Sequence, residues 1–276
     1  MLSIPVAVSS PNFKWQLSLF WHNHKKLYGS SAYDSAKAII INKDDGTGPI
    51  YDSIPWNIDI PHRMCEAYST YYKCPEHLWH TPLNIQAGLQ QILPSIEDDK
   101  IIEILDCDMF HLRQFDFTDV YDDEIYADII YEGWHLKSRS NYKYIIDQLI
   151  PYNKAHYYAG GFVPLVGKSK TFKKIIKSWA EYHLKIMTKY KPNDLELWWA
   201  GMYSLQAACE YHQVRMIPTE LCYIPKINEL KTKHYIAHYS IDDRFNKRQF
   251  PNIDINSFLD TPYYNAIKDW LINYIV

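Results

Sequence analysis

The segment Lys100–Phe110, KIIEILDCDMF, closes a run of aliphatic residues with two aspartates one residue apart, Asp106 and Asp108. On an extended chain such side chains point to one side, where their like charges favour a shared cation. Hard oxygen ligands select Mg²⁺ or Mn²⁺, ions that keep open coordination positions for substrate phosphates. The chemistry implied is the handling of a phosphorylated or nucleotide-linked substrate. A third ligand is needed, and His238 lies in KHYIAHYS at the end of a late predicted strand. Imidazole joins carboxylates on Mn²⁺, although a histidine in an aromatic strand is by itself more often a hydrogen-bonded core residue. Just beyond it, Arg244, Lys247 and Arg248 in DDRFNKR form a basic cluster suited to a diphosphate that a metal neutralises only in part.

Positioning these groups requires a sheet. Ile101, Ile102, Ile104 and Leu105 suit a strand covered on both faces, and parallel sheets bind ligands at their carboxyl ends. Upstream, Ile4–Ser9 reads as a strand, Ser9-Ser10-Pro11-Asn12 as a turn, and Phe13, Leu17, Phe20, His24 and Leu27 as one helical stripe. Ala36–Asn42 gives a second strand. Pro82 opens a helix with Ile85, Leu89, Ile92 and Leu93 on its stripe. Asp116–Glu132 is acidic and aromatic and reads mostly as a solvated loop. Tyr157–Gly167 reads as an interrupted strand in which Gly160-Gly161 forms a bulge or admits a close neighbour. Two long helices follow, one carrying Phe172, Ile175, Ile176, Trp179, His183 and Ile186, the other Leu195, Trp198, Met202, Leu205 and Cys209. Short strands at Val214–Ile217 and Tyr235–Tyr239 precede a last helix with Tyr263, Ile267, Trp270, Leu271 and Tyr274 inward. Thr47–His80 yields no assignment.

At 276 residues and 47% hydrophobic composition the chain is expected to form one α/β domain, 1–276. A net charge of −3 provides no basic field and argues against a nucleic-acid partner. Aromatic residues reach 16%, which suits sugar-binding clefts as well as cores. The five cysteines are odd in number and lack paired spacing, so neither a disulfide framework nor a zinc site is expected. The segment MLSIPVAVSS has no basic n-region, and no apolar stretch reaches the roughly 20 residues a membrane span needs. The expectation is a soluble, cytoplasmic protein with no membrane span.

Several strings in order resemble the plant peptidyl hydroxyproline O-arabinosyltransferases and the related peptidyl serine α-galactosyltransferases. They are FKWQLSLFWHNHKKLYG at 13–29, SIPWNIDIP at 53–61, LNIQAGLQQIL leading into EILDCDMFHLR over 83–113, FVPLVGKSKTFKKIIKSWAEYHLKI, MYSLQAACEYHQVR at 202–215, IAHYS and DRFNKR. The resemblance implies a GT-A glycosyltransferase: an αβα sandwich around a mixed, mostly parallel sheet, with an Asp-x-Asp motif and a metal holding the diphosphate of a UDP-sugar. It makes Asp106, Asp108 and His238 the metal ligands, and places Ser9, Ser10 and Asn12 at the nucleoside. It places Gly160 and Gly161 beside the donor sugar, and Lys247 and Arg248 near the phosphates. Residues 1–113 would form the nucleotide-sugar half and 114–276 the acceptor half. The family has Glu-Pro-Asp where this chain has Asp106-Cys107-Asp108, which keeps both carboxylates. It has an acidic residue where this chain has Gly201, so Asp194 or Glu196 could face the acceptor instead. The likeness implies retention at the anomeric carbon, whereas a base at Asp194 or Glu196 would permit inversion.

The expected activity is therefore metal-dependent transfer of a pentose or galactose from a UDP-sugar to a glycan or glycoprotein. Two alternatives stay open. A haloacid-dehalogenase-like phosphatase would use Asp106 as nucleophile, and a non-catalytic carbohydrate-binding protein would use the aromatic residues alone.

Overall fold

Runs rich in aliphatic residues form the middle of the sheet because strands covered on both faces have no solvent side to alternate with. In the computed structural model, which describes residues 1–42, 59–73, 82–115, 117–128, 149, 162–189, 194–225, 228–239, 242–246, 250 and 252–275, ten strands are assigned. They are β1 (Leu2–Val8), β2 (Ala38–Ile41), β3 (His62–Cys65), β4 (Ile101–Asp106), β5 (Met109–His111), β6 (Glu124–Asp128), β7 (Phe162–Lys168), β8 (Arg215–Thr219), β9 (Cys222–Tyr223) and β10 (Ile236–His238). The helices are α1 (Pro11–Tyr28), α2 (Ala32–Ser35), α3 (Tyr68–Tyr71), α4 (Leu83–Ile92), α5 (Ser169–Lys189), α6 (Asp194–Tyr211) and α7 (Pro262–Ile275).

A seven-stranded sheet runs in the order β3-β2-β1-β4-β7-β6-β8. β1 is parallel to β2 and β4, β2 to β3, and β6 to β8; β7 alone runs against its neighbours β4 and β6. All four residues of β2 and the middle four of β4 are buried. A second sheet, in the order β5-β10-β9, lies on the α1 side. The α/β sandwich with a mixed, mostly parallel sheet is thus the fold class expected from the sequence, and the Asp-x-Asp motif stands at a strand end.

One face of the large sheet is covered by α4, α5 and α6. α4 approaches β2 so closely that a Cβ on Gly88 would lie 2.6 Å from Ile39 Cγ2 and 3.0 Å from Ile41 Cδ1. A β-branched methyl cannot swing aside cheaply. Overpacking costs about 1–3 kcal/mol, and a contact as tight as 2.6 Å belongs in the upper part of that range, about 2–3 kcal/mol; alanine regains about 1 kcal/mol of helix propensity, so Gly88→Ala is expected to lose about 1–2 kcal/mol net. A urea midpoint unchanged from wild type would refute the steric argument.

The other face holds α1, α7 and the small sheet. Trp15, Phe110, Tyr239, Phe245, Tyr263 and Trp270 are buried together there, with Trp15 stacked on Phe250 at 4.6 Å between centroids. Much of the aromatic surplus is therefore a second core between α1, α7 and the segment after β10. Tyr274 departs from its expected inward position and is 43% exposed.

The acidic segment 116–132 also departs from expectation, since Glu124–Asp128 is a largely buried strand. Its short EIYAD sequence alternates inward Ile125 and Ala127 with polar residues, and Arg215 neutralises Glu124. Three elements had no pattern to announce them. β5 and β9 are three and two residues long, and β3 is an exposed edge strand.

Candidate functional site

Asp106 is the last residue of β4, at the carboxyl end of the large sheet. Cys107 and Asp108 then form a turn that carries the chain into β5 of the small sheet. The two aspartates are therefore not on one extended segment as the spacing alone implied; the turn brings them round. Cys107 points elsewhere, its buried Sγ donating to Gln16 Oε1 at 3.2 Å. Cys65, Cys107, Cys209 and Cys222 are all buried and form no disulfide among the described residues.

His238 closes β10, paired antiparallel with Met109 of β5, and Tyr239 N donates to Asp108 O at 3.2 Å. This ladder places the imidazole against the turn, with Nε2 3.2 Å from Asp108 Oδ1. Asp106, Asp108 and His238 each present a ligand atom, all within 4.8 Å of one another. Asp106 is half-buried while Asp108 and His238 are buried, so one side of the triad faces outward. Two carboxylates and an imidazole are a donor set for Mn²⁺ or Mg²⁺.

Ser9 and Ser10 follow β1 on the same edge, since the register pairs Val6 with Asp106. Ser9 is buried, its amide donating to Ile41 O at 2.8 Å, and Ser10 is the N-cap of α1 in an extended conformation. Asn12 lies in the first turn of α1, its side chain outside what the structure describes. β7 runs down the sheet and α5 runs back up, so α6 begins on the carboxyl-end side, with Asp194 and Glu196 in its first turn. Those two side chains also lie outside the described residues, as do Gly160, Gly161, Lys247 and Arg248. Gly201 sits mid-helix in α6, where a Cβ would meet His183 Cε1 at 3.4 Å and its carbonyl accepts from Trp179 Nε1 at 2.8 Å. The glycine is a helix-packing position between α5 and α6.

The segment after His238 is pinned from inside. Asp242 is buried and accepts from Tyr263 Oη at 2.6 Å, Tyr264 Oη at 3.1 Å and the Arg244 amide at 2.9 Å. Burial, together with Asp242, pushes the Tyr263 hydroxyl far above its ordinary range. The Arg244 guanidinium lies 6.0 Å from the Tyr264 ring centroid.

Two buried acids near the site went unread in the sequence. Glu103 on β4 is fully buried and accepts from Ser3 Oγ at 2.7 Å, His111 Nε2 at 2.9 Å and Tyr235 Oη at 2.8 Å. Burial alone would raise its pKa, but His111 beside it and these three bonds hold the carboxyl below its usual range. His24 contacts His111 through the two Nδ1 atoms at 3.3 Å; burial, then the neighbouring His111, lowers its pKa to about 3. Asp128, the last residue of β6, is buried beneath the start of β9 and accepts from the Leu221 amide at 3.1 Å. The signal was available for Glu103. A lone charge inside IIEIL, in a strand covered on both faces, must have buried partners.

Neither a protein-family model nor a curated protein matches this chain. Solved structures do. The galactosyltransferase LgtC, solved in complex with donor and acceptor sugar analogs, superposes with a TM-score of 0.57 over 99% of this chain and 96% of its own, at 12% sequence identity. This chain has the LgtC fold. At that identity the likeness speaks for the architecture, and the fold shared with LgtC spans both halves of the sheet. Among the described residues no helix is long and apolar enough to cross a membrane.

Proposed function

We propose that this chain is a metal-dependent glycosyltransferase that moves a sugar from a UDP-sugar to a glycan or protein-linked acceptor. The observation that carries the reading is the convergence of Asp106, Asp108 and His238 at the carboxyl end of a sheet with the LgtC fold. In open α/β sheets that edge is where ligands bind. The donor sugar is a pentose such as arabinose or xylose, following the sequence resemblance, or galactose, which the LgtC likeness also favours.

In this reading Asp106, Asp108 and His238 hold Mn²⁺ or Mg²⁺, which when bound offsets the charge of the departing diphosphate as a Lewis acid. Ser9, Ser10 and Asn12 line the nucleoside end. Gly160 and Gly161 border the sugar, while Lys247 and Arg248 bind phosphate oxygens. Residues 1–113 form the donor half and 114–276 the acceptor half. Asp194 or Glu196, in the first turn of α6, acts as base on the acceptor hydroxyl where the reaction inverts, whereas in a retaining reaction the leaving phosphate itself takes that proton.

The test is UDP release from UDP-galactose, UDP-xylose and UDP-arabinose with Mn²⁺, with and without chelator. Chelator-sensitive release from one donor is the expected result. Turnover that ignores the chelator would remove this reading, and an aspartyl-phosphate trapped at Asp106 would replace it with the phosphatase one.

A further inference from the structure

The three ligands are carried by two different sheets. Asp106 ends a strand of the large sheet, whereas His238 ends β10 of the small one, a strand of three residues. So short a ladder fixes little by itself, and metal sites tolerate errors of only about 0.2 Å in ligand distance. Something must lock the small sheet onto the large one.

That lock is visible three residues away from each ligand. Glu103 precedes Asp106 on β4; His111 pairs with Ile236 across the β5–β10 ladder; Tyr235 leads directly into β10. Oε2 of Glu103 takes the His111 and Ser3 bonds and Oε1 takes the Tyr235 bond. One carboxylate therefore ties β1, β4, β5 and the start of β10 together, at full burial of both members of the Glu103–His111 pair. A leucine there would fill space without desolvating a charge. What it would lack is direction, the three bonds that set where β5 and β10 lie relative to β4. We propose that Glu103 is a positioning residue for the metal site, acting through His111 and Tyr235 to hold His238 at ligand distance from Asp106 and Asp108. The inference rests on the metal-site reading above.

The experiment is Mn²⁺ titration by electron paramagnetic resonance, without nucleotide, on wild type, Glu103→Gln, Tyr235→Phe and Gly88→Ala. Loss of a group that orients a ligand typically weakens metal binding about 10–100-fold, and Glu103→Gln is expected in that range. Tyr235→Phe, which frees only one tie, should lose about three- to tenfold, a step below the full loss. Gly88→Ala loses stability on the far face of the sheet and should bind Mn²⁺ as wild type does. Binding by Glu103→Gln equal to wild type overturns the proposal and leaves the metal site standing, as does equal weakening in Gly88→Ala, which would mean general loosening. Should Glu103→Gln fail to fold, Tyr235→Phe decides: wild-type affinity in it overturns the proposal. A wild type that binds no Mn²⁺ removes the metal-site reading and this inference with it.

Discussion

Asp108→Asn is expected to lower sugar transfer roughly 10³-fold, because metal stabilisation of a leaving diphosphate is worth several kcal/mol and each 1.4 kcal/mol is a factor of ten. Asparagine keeps the volume of the buried side chain and leaves the Asp108 carbonyl free to accept the Tyr239 amide, so the fold should persist. What it removes is the charged oxygen 3.2 Å from His238 Nε2 and one of three ligand atoms. A second readout is independent of activity. Mn²⁺ at about a hundred times its dissociation constant should stabilise the wild type by about 2.7 kcal/mol, and the variant should lose most of that shift. The other readings predict different patterns. A carbohydrate-binding protein would bind glycan equally well in both proteins, with or without metal, and that result would end the glycosyltransferase reading.

The fold was legible where the chemistry of burial is simple. Ile39 to Ile41 and Ile102, Ile104 and Leu105 are aliphatic because both sides of their strands are covered, and the α5 stripe Phe172, Ile175, Ile176, Trp179, His183 and Ile186 is buried throughout. The Asp-x-Asp and His238 could be brought together on paper because each closes a readable strand. β6 could not, because its strand is five residues long and acidic at both ends, and the Arg215 that neutralises Glu124 is 91 positions away. Glu103 escaped for a related reason: its partners Ser3, His111 and Tyr235 lie up to 132 positions away. Local periodicity reports which face is buried. It carries no information on which distant donor meets a buried acid, and here such donors couple the two sheets.

Asp128 gives the second large effect, and its sign runs against that of a surface carboxylate. Burial raises its pKa to about 7, and Glu220 adds to the rise, while the Leu221 and Cys222 amides and His238 oppose it only in part. The ordinary value of 3.8 applies when the chain is unfolded. Between pH 4 and 7 the folded state therefore holds a proton that the unfolded chain has released, so stability falls as pH rises through that window. A shift of about three units corresponds to about 4 kcal/mol. Asp128→Asn carries no charge at any pH and retains the oxygen that accepts the Leu221 amide. It should match wild type near pH 4, at the foot of that window, and exceed it by about 2–4 kcal/mol at pH 8, in urea unfolding with chelator present. Parallel stability curves for the two proteins would show that Asp128 ionises normally in the fold. Because Asp128 joins the carboxyl end of β6 to the start of β9, on the edge where Asp106 ends β4, the gain would come from relieving a buried charge beside the site. The same charge, with those of Asp108, Asp106 and Glu103, raises the buried Cys222 thiol well above its ordinary range after burial itself. Negative potential is thus concentrated under the ligand triad, an arrangement that costs folding energy and favours a cation at its mouth.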